Sequence, residues 1–537
     1  MTESISKVTI ILFENAVCPP CKTVEPILRQ IVTSSTGSAS LTIIDIDKEK
    51  DLANKYNING IPAVYFNDKL VLSAHQAVML MSGSGSVDEN PFSLLNADEK
   101  NVGFTDIFGN GQSGLFNHLF NQLISSSIDS NAEMLERRLK FNMLAISQKT
   151  MTPEAFQNIT RPALGDYVHI GILQSIVTSI LAINPRSSEY LYKVGRDMGR
   201  FGNVQFQFLR HYPQIYEHFE TADKFRVLLD GLQELYSAYS LGFPLFIASR
   251  SLINHINEKT AKLTVYDSAY CAQISPIGQP VCYLIAGEIA GLIESTLGEQ
   301  VSVVETKCFG LGDPFCQFQI ELDKERDFSF ISERNFLSEP EKERFQQCLL
   351  TISKNMYYSS LIRNILRPGL SDHVHISVLQ QTLNGIKFSD PFFSTLLFYA
   401  GLHYGKYGVD YAIIERIVEE KESIVYPMEF SKSLELLTAF FNDPATILTR
   451  WQGNAELEII NNETAYINIY ESANASGLNM KSPDFILDVD VETTLCDFTA
   501  GFIQGRLSKL SSETIQVTEE TCLSVGSEFC RFKITLN

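Results

Sequence analysis

The sequence predicts an α/β domain at its start, followed by two copies of an α+β domain. Three observations carry that reading. Residues 7–32 run as an apolar strand, a Cys-Pro-Pro-Cys turn and an amphipathic helix. Residues 161–170, RPALGDYVHI, return 206 positions later as RPGLSDHVHI. Residues 305–316, ETKCFGLGDPFC, return 214 positions later as EETCLSVGSEFC, and each copy runs into an alternating strand.

Composition narrows the functional classes. A chain of 537 residues, 45% of them hydrophobic and 20% charged, has material for three or four cores at roughly 150 residues each. A net charge of -20 speaks against a surface that tracks nucleic-acid phosphates, which needs clustered Lys and Arg. No apolar run is long enough to span a membrane, and the nearest, CYLIAGEIAGLI, is interrupted by Glu288. In the start, MTESISKVTIILF, the apolar core is too short for a signal peptide and has an acid in front of it. The expectation is a cytoplasmic chain whose thiols stay reduced, where patterned cysteines point to metal or redox chemistry.

The first domain is placed at residues 1–80. Cys18 opens a helix and Cys21 lies one turn in, so the helix dipole and the free N–H groups of the first turn favour a thiolate at Cys18. Cys21 would then resolve a mixed disulfide. Pro19 and Pro20 cost little there, because a first turn has no N–H partner to lose. LTIIDID reads as a second strand, and NGIPAVYFNDKLVLS as a strand entered through Ile61-Pro62 and then a hairpin. This order resembles the thioredoxin and glutaredoxin-like folds. The resemblance implies a cis proline facing the dithiol at Pro62, and thiol-disulfide exchange with a disulfide-containing protein partner. Two positions depart from it: Leu12 and Val17 stand where thioredoxins carry a buried acid and a tryptophan. A thioredoxin fold that only docks a partner, or a metal-binding CxxC, are the competing readings. Residues 81–112 read as a linker; its GNGQSG, 109–114, has the form of a dinucleotide loop but enters helix without a βαβ unit. Residues 113–149 read as connecting helices.

The repeat places one α+β copy at 150–322 and the other at 345–537, joined by a charged connector at 323–344. Each begins with helices, ILQSIVTSIL and YLYKVGRDMGRF in the first, VLQQTLNGI and LLFYAGLHYGKY in the second, with Gly195/Gly401, Gly199/Gly405 and Gly202/Gly408 in step. Strands LTVYDSA and INIYESA follow, then a helix after Cys282 or Cys496, then a strand pair enclosing the last two cysteines. The second copy carries about ten extra residues before Cys496, read as a longer loop. His169 and His375 are expected to be buried and hydrogen-bonded, Asp166 and Asp372 to cap helices. Cys271 and Cys348 fall outside every pattern.

Aligned, the copies share one donor series: Cys282, Glu305, Cys308 and Cys316, then Cys496, Glu519, Cys522 and Cys530. Three thiolates and a carboxylate suit a closed, four-coordinate zinc site, which would tie a helix to the terminal hairpin. Small buried cysteines and a redox-active disulfide are the alternatives. The ending, a glutamate, a cysteine, a Gly-Asp-Pro-Phe-Cys turn and an alternating strand, resembles the 4-vinyl reductase domain. That resemblance implies the same eight residues as ligands at two zinc sites. It also implies a ligand-binding fold related to vesicle-tethering subunits, with an apolar pocket for a hydrophobic small molecule, aromatic or tetrapyrrole-like by analogy. Two copies imply an intramolecular pseudo-dimer. Phe206, Phe208, Tyr399, Tyr404 and Tyr407 are candidate pocket aromatics, with plain core as the alternative. The combined expectation is a redox-active, ligand-binding accessory or sensor protein, the alternative being a non-catalytic scaffold or assembly factor. No site for a hydride carrier supports a reductase.

Overall fold

Strand β1 (Val8–Glu14) buries Val8, Ile10 and Leu12 on one face and Phe13 on the other, so both faces are at least partly covered. The computed structural model describes residues 7–537 apart from 17, 35–37, 82–112, 151–155, 203–208, 210–211, 213–214, 216–220, 330–336, 391, 409–426, 444–449, 479–493 and 537. The predicted linker, most of GNGQSG and the long loop before Cys496 therefore lie outside the described residues. The chain divides into two compact units: Met1–Arg137 with Glu333–Glu343 and Asp390–Leu396, and Arg138–Ser332 with Arg344–Ser389 and Leu397–Asn537. Among the described residues, no helix is long and apolar enough to cross a membrane.

In the first unit, β1, β2 (Ala39–Asp45), β3 (Ala63–Phe66) and β4 (Lys69–Leu72) form a sheet in the order β2-β1-β3-β4. The β1–β2 pair is parallel and bridged by α1 (Pro19–Ser34), while β3 and β4 are antiparallel additions. Helix α2 (Lys50–Lys55) leads to a cis Ile61–Pro62 bond, and α3 (Ala74–Met81) follows the hairpin. The connecting helices are one helix, α4 (Ser113–Thr150). Its Leu115, Phe116, Leu119, Phe120 and Leu123 are buried at helical spacing, and His118 Nε2 donates to the Val71 carbonyl at 2.7 Å.

The second unit holds two halves of one design. Each opens on a three-residue strand, β5 (Tyr167–His169) or β10 (His373–His375), which runs into a helix, α5 (Ile170–Ile183) or α10 (Ile376–Ser389). In the first half α6 (Ser187–Phe201) and α7 (Thr221–Leu235) follow, then β6 (Arg250–His255), β7 (Thr260–Tyr266), α8 (Tyr283–Leu297), β8 (Val301–Lys307) and β9 (Cys316–Leu322). After α9 (Glu339–Leu361), the second half supplies α11 (Phe393–His403), α12 (Phe430–Asn442), β11 (Ala455–Ile459), β12 (Thr464–Ile469), α13 (Asp497–Ser511), β13 (Ile515–Thr521) and β14 (Cys530–Leu536). Both antiparallel sheets have one order, β6-β7-β9-β8 and β11-β12-β14-β13.

The repeated glycines are contact points. A Cβ on Gly195 would sit 1.9 Å from the Leu284 carbonyl oxygen of α8, and one on Gly287 2.0 Å from the Tyr192 oxygen of α6. The second half repeats this with Gly401 at 2.0 Å from the Phe498 oxygen and Gly501 at 1.9 Å from the Phe398 oxygen. Only glycine lets these helix backbones approach so closely.

The repeated Arg-Pro-x-Leu-x-Asp segments meet across the halves. Strands β5 and β10 pair antiparallel, His169 opposite His373 and Val168 opposite Val374. Arg161, fully buried, donates to the carbonyls of Arg450 (2.6 Å) and Glu471 (3.4 Å) in the other half. Arg367 reciprocates on Phe246 (2.8 Å) and Asp267 (3.3 Å). Burial pulls both guanidinium groups down to about 10, still protonated at neutral pH. Asp166 and Asp372 are not helix caps. Asp166 accepts from the N–H groups of Thr160 and Arg161, Asp372 from those of Leu366 and Arg367, so each fixes the loop that aims its arginine. Replacing Arg367 by Ala strands several buried carbonyls, and urea unfolding should show a loss of at least about 3 kcal/mol; Arg161→Ala should cost a similar amount.

Candidate functional site

In the first unit Cys18 immediately precedes α1, where its Sγ accepts the Cys21 N–H at 3.1 Å. The two cysteines are joined as a disulfide and both are buried. Pro62 is buried at the start of β3, and Leu12 is fully buried on β1, so no acid occupies that position behind the dithiol. Glu14, at the end of β1, is raised by partial burial and by the negative charges of Glu25 and Asp45.

Each sheet of the second unit carries a cluster of sulfur. In the first half Cys282 ends the loop before α8, Cys308 follows β8 and Cys316 opens β9. The fourth sulfur is Cys271, in the turn after β7: its Sγ lies 3.1 Å from that of Cys316 and 3.3 Å from that of Cys282. All four sulfurs lie within 4.8 Å of one another and all four residues are buried. The expected fourth member, Glu305, stands beside this set rather than in it. Its Oε2 accepts the Cys282 N–H at 2.9 Å, and its buried Oε1 has no hydrogen-bond partner among the described residues.

The second half keeps the predicted donors. The Sγ atoms of Cys496, Cys522 and Cys530 are separated by 3.5 to 3.9 Å, and a Glu519 oxygen completes the group. Glu519 Oε2 accepts the Cys496 N–H at 3.1 Å, again with Oε1 buried and unpartnered among the described residues. Cys271 aligns with Ala475, so the second half has no fourth sulfur at that place and Glu519 stands there as the fourth donor.

Local geometry shows why the glutamate lies three residues before the cysteine. Both hairpins shift register at one place, between Glu305 and Lys307 on β8 and between Glu519 and Thr521 on β13. A bulge there re-aims the strand so that the carboxylate turns inward. Beyond it, Gly312 and Gly526 have φ of 95° and 87°, the left-handed conformation that closes the turn back to the last cysteine. Asp313 Oδ2 braces the first turn by accepting the Cys308 N–H at 3.1 Å; Ser527 replaces it in the second.

Burial, and then the neighbouring thiol of Cys308 or Cys522, pushes Glu305 and Glu519 well above the usual carboxylate range. Burial likewise raises Cys282 and Cys496. Several acids crowded into a dry site cannot all ionise alone, and a divalent cation is what lets them. The donor sets, four thiols or three thiols and a carboxylate, fit such an ion.

A cavity lies in the second unit, walled by Met198, Leu235, Leu245 and Ile247 of the first half and Val378 and Gln381 of the second. The aromatics expected to line a pocket do not line it: Tyr399 and Tyr404 are buried in the second half, Tyr404 packing 5.6 Å from Phe502, and Tyr407 lies tilted against His403 at 5.2 Å. Phe206 and Phe208 lie outside the described residues.

Comparison with known proteins gives two family matches, thioredoxin over residues 2–77 and the 4-vinyl reductase domain over residues 262–322, the latter in the first half alone. An uncharacterized protein of Methanocaldococcus jannaschii is 34% identical over 91 residues, 17% of this chain and 51% of that protein. A second from the same organism is 24% identical over 160 residues, 30% of this chain and 79% of the other. The thioredoxin of Buchnera aphidicola is 43% identical over 56 residues, 10% of this chain and 51% of its own length. The chain thus spans about half the length of the first of these relatives. Among solved structures, a trafficking protein particle complex subunit 3 from Naegleria fowleri, covalently bound to palmitic acid, matches at 16% identity and a TM-score of 0.21. That match covers 26% of this chain and 82% of the other, and the likeness is too slight to bear on fold.

The two clusters should respond differently to loss of a carboxylate. Glu305→Gln should leave the metal content of the first cluster unchanged after dialysis, while Cys271→Ala lowers it and Glu519→Gln lowers that of the second. Elemental analysis of each variant reads this directly.

Proposed function

We propose that this chain, which carries a thioredoxin domain and a 4-vinyl reductase-type domain, is a redox-active accessory or sensor protein that binds a hydrophobic small molecule. The observation that carries the reading is the Cys18–Cys21 pair at the head of a helix in the thioredoxin domain, because it alone names a reaction. In its reduced form, the Cys18 thiolate attacks a partner's disulfide and releases one partner thiolate, which takes up a proton. Cys21, deprotonated, then attacks Cys18 Sγ and releases the second. The partner gains two electrons and two protons, and the chain is left with the Cys18–Cys21 disulfide.

The second half, with its matching strand order, bulge and cysteine spacing, is read as a second domain of the 4-vinyl reductase type, paired with the first as an intramolecular pseudo-dimer. Cys271, Cys282, Cys308 and Cys316 would hold one zinc ion, and Cys496, Glu519, Cys522 and Cys530 another. Zinc bound there supplies no redox chemistry; it cross-links the start of α8 or α13 to the last hairpin. Glu305 would orient the loop at Cys282 through its N–H. The cavity between the halves measures about 30 Å³, so an apolar ligand would have to widen it to enter there.

A second reading has one observation in its favour. Leu12 removes the buried acid that would move the resolving proton, which suits a thioredoxin fold that only docks a partner in a scaffold or assembly factor.

Two measurements test these assignments. Cys21→Ser should capture a mixed-disulfide partner and Cys18→Ser should not; if the wild type also fails to reduce insulin, the docking reading replaces the catalytic one. Elemental analysis should find two zinc ions per chain, and a value near zero in protein purified without chelator would remove the metal clasp.

A further inference from the structure

The two clusters differ in one donor and share the frame that holds it. In the turn after the second strand of each sheet, the N–H groups of Cys271 and Ala475 donate to the carbonyls of Ser268 and Ser472, each at 3.2 Å. The next N–H in each turn donates to the same carbonyl, at 2.8 Å in the first half and 2.9 Å in the second. Cys282 and Cys496 each stand just before a helix, and their N–H groups donate to Glu305 and Glu519 at 2.9 and 3.1 Å. On this common frame the first half has a sulfur in the turn and the second has a methyl group. The first cluster is therefore four sulfurs on cysteines that are each at most 1% exposed. The second holds three sulfurs and the carboxylate of Glu519, a residue that keeps partial exposure.

We propose that the first cluster is a site for soft, thiophilic divalent cations such as cadmium(II), and that the chain sorts ions between its two clusters by the softness of the fourth donor. This rests on the metal reading above and sharpens it. Fully ionised, each donor set carries four negative charges, so attraction to a dication does not separate them. The donor atom does. Exchanging a carboxylate oxygen for a thiolate strengthens the binding of a polarisable ion more than that of zinc, a borderline ion that accepts sulfur and oxygen alike. Glu305, aligned with Glu519, stands outside the four-sulfur set, and Cys271 is the fourth donor in its place.

The spacing of the sulfurs sets the number of ions. Tetrahedral thiolates at about 2.3 Å from one zinc ion lie about 3.8 Å from each other. The Sγ atoms of Cys271 and Cys316, Cys271 and Cys282, and Cys282 and Cys316 are 3.1, 3.3 and 3.7 Å apart, which suits a single shared ion. The second cluster, at 3.5 to 3.9 Å, suits one as well. One side chain thus separates the two preferences. Ala475 is fully buried in the turn that matches that of Cys271, so Ala475→Cys would bring a fourth sulfur to the second cluster.

Titrating the zinc-loaded full chain with cadmium(II), and following cadmium NMR together with zinc release, reads the order in which the clusters exchange. The first equivalent should displace one zinc ion and give one resonance at the strongly deshielded end, where all-thiolate sites fall. The less deshielded resonance of the second cluster should grow only with the second equivalent, for a preference of at least roughly tenfold between the two exchanges. Cys271→Ala should remove the early resonance. Ala475→Cys should abolish the order, so that two strongly deshielded resonances grow together. Simultaneous filling of both clusters in the unmodified chain, or earlier filling of the less deshielded one, would overturn the sorting while leaving two ion sites standing. A chain that carries no zinc and takes up no cadmium would overturn the metal reading as well. Because the order is read on the unmodified chain, the test holds even where a variant fails to fold.

Discussion

Cys271, Cys282, Cys308 and Cys316 hold four sulfurs within 4.8 Å of one another, with almost no exposure to water. Ionising such a set without a counter-charge costs several kcal/mol per group, roughly the whole margin of a small domain. A divalent ion bound there would reverse that balance and make the cluster a cross-link. It would link the N-terminus of α8 to the hairpin β8–β9, which are otherwise held by packing and by the Glu305 hydrogen bond to the Cys282 N–H. The second half offers a comparable donor set with one carboxylate in place of one sulfur.

Buried charge recurs elsewhere in the second unit and is handled by different partners. Arg161 and Arg367 are satisfied by backbone carbonyls of the opposite half, with Asp166 and Asp372 holding the loops rather than pairing directly with the guanidinium groups. Carbonyl acceptors fix direction as well as charge, so each arginine ties together the chain entering the first strand hairpin of the other half and the chain leaving it. Lys387 and Asp497 form a buried ion pair beside the second cluster, where the first half has Leu181 and Tyr283. Glu288, the charged residue lining the cavity among the described residues, is met by a neutral partner instead, the Tyr236 hydroxyl at 3.0 Å.

The legible part of this chain was what the two halves share. The cysteine spacing, the strand that follows it, the glycines of the helix crossings and the Arg-Pro-x-Leu-x-Asp segment all stood out because duplication printed them twice. That filter hid whatever the halves do differently. Cys271 has Ala475 as its counterpart, so it fell outside the pattern although it completes the first cluster. The roles of the repeated residues were also partly hidden, since a carbonyl about three hundred residues away leaves no local trace at Arg161. Asp166 looked like a helix cap because caps are the commonest use of an aspartate before an apolar run; here the short strand β5 comes first. Glu288 was visible only as a charge interrupting an apolar stretch. The strand–dithiol–helix unit at the N-terminus was easier, because its elements are local and the periodicity changes cleanly from 2 to 3.6.

Two identical subunits would be bound to carry identical clusters and identical cavities, since one sequence specifies both. Joining the halves in one chain lifts that constraint, and the differences observed fall where the constraint had mattered most. The pairing surface is kept nearly symmetric, with β5 against β10 and each arginine on the other half's carbonyls. The interior is not: Phe502, Trp451 and Phe441 pack solidly in one half, while Glu288, Tyr236 and Ser240 border open space in the other. It is the filled half that contributes Ser377, Val378 and Gln381 to the cavity of its neighbour. Strand β10 runs directly into α10, so the β5–β10 pair that joins the halves also sets where α10, and with it one wall of the cavity, stands.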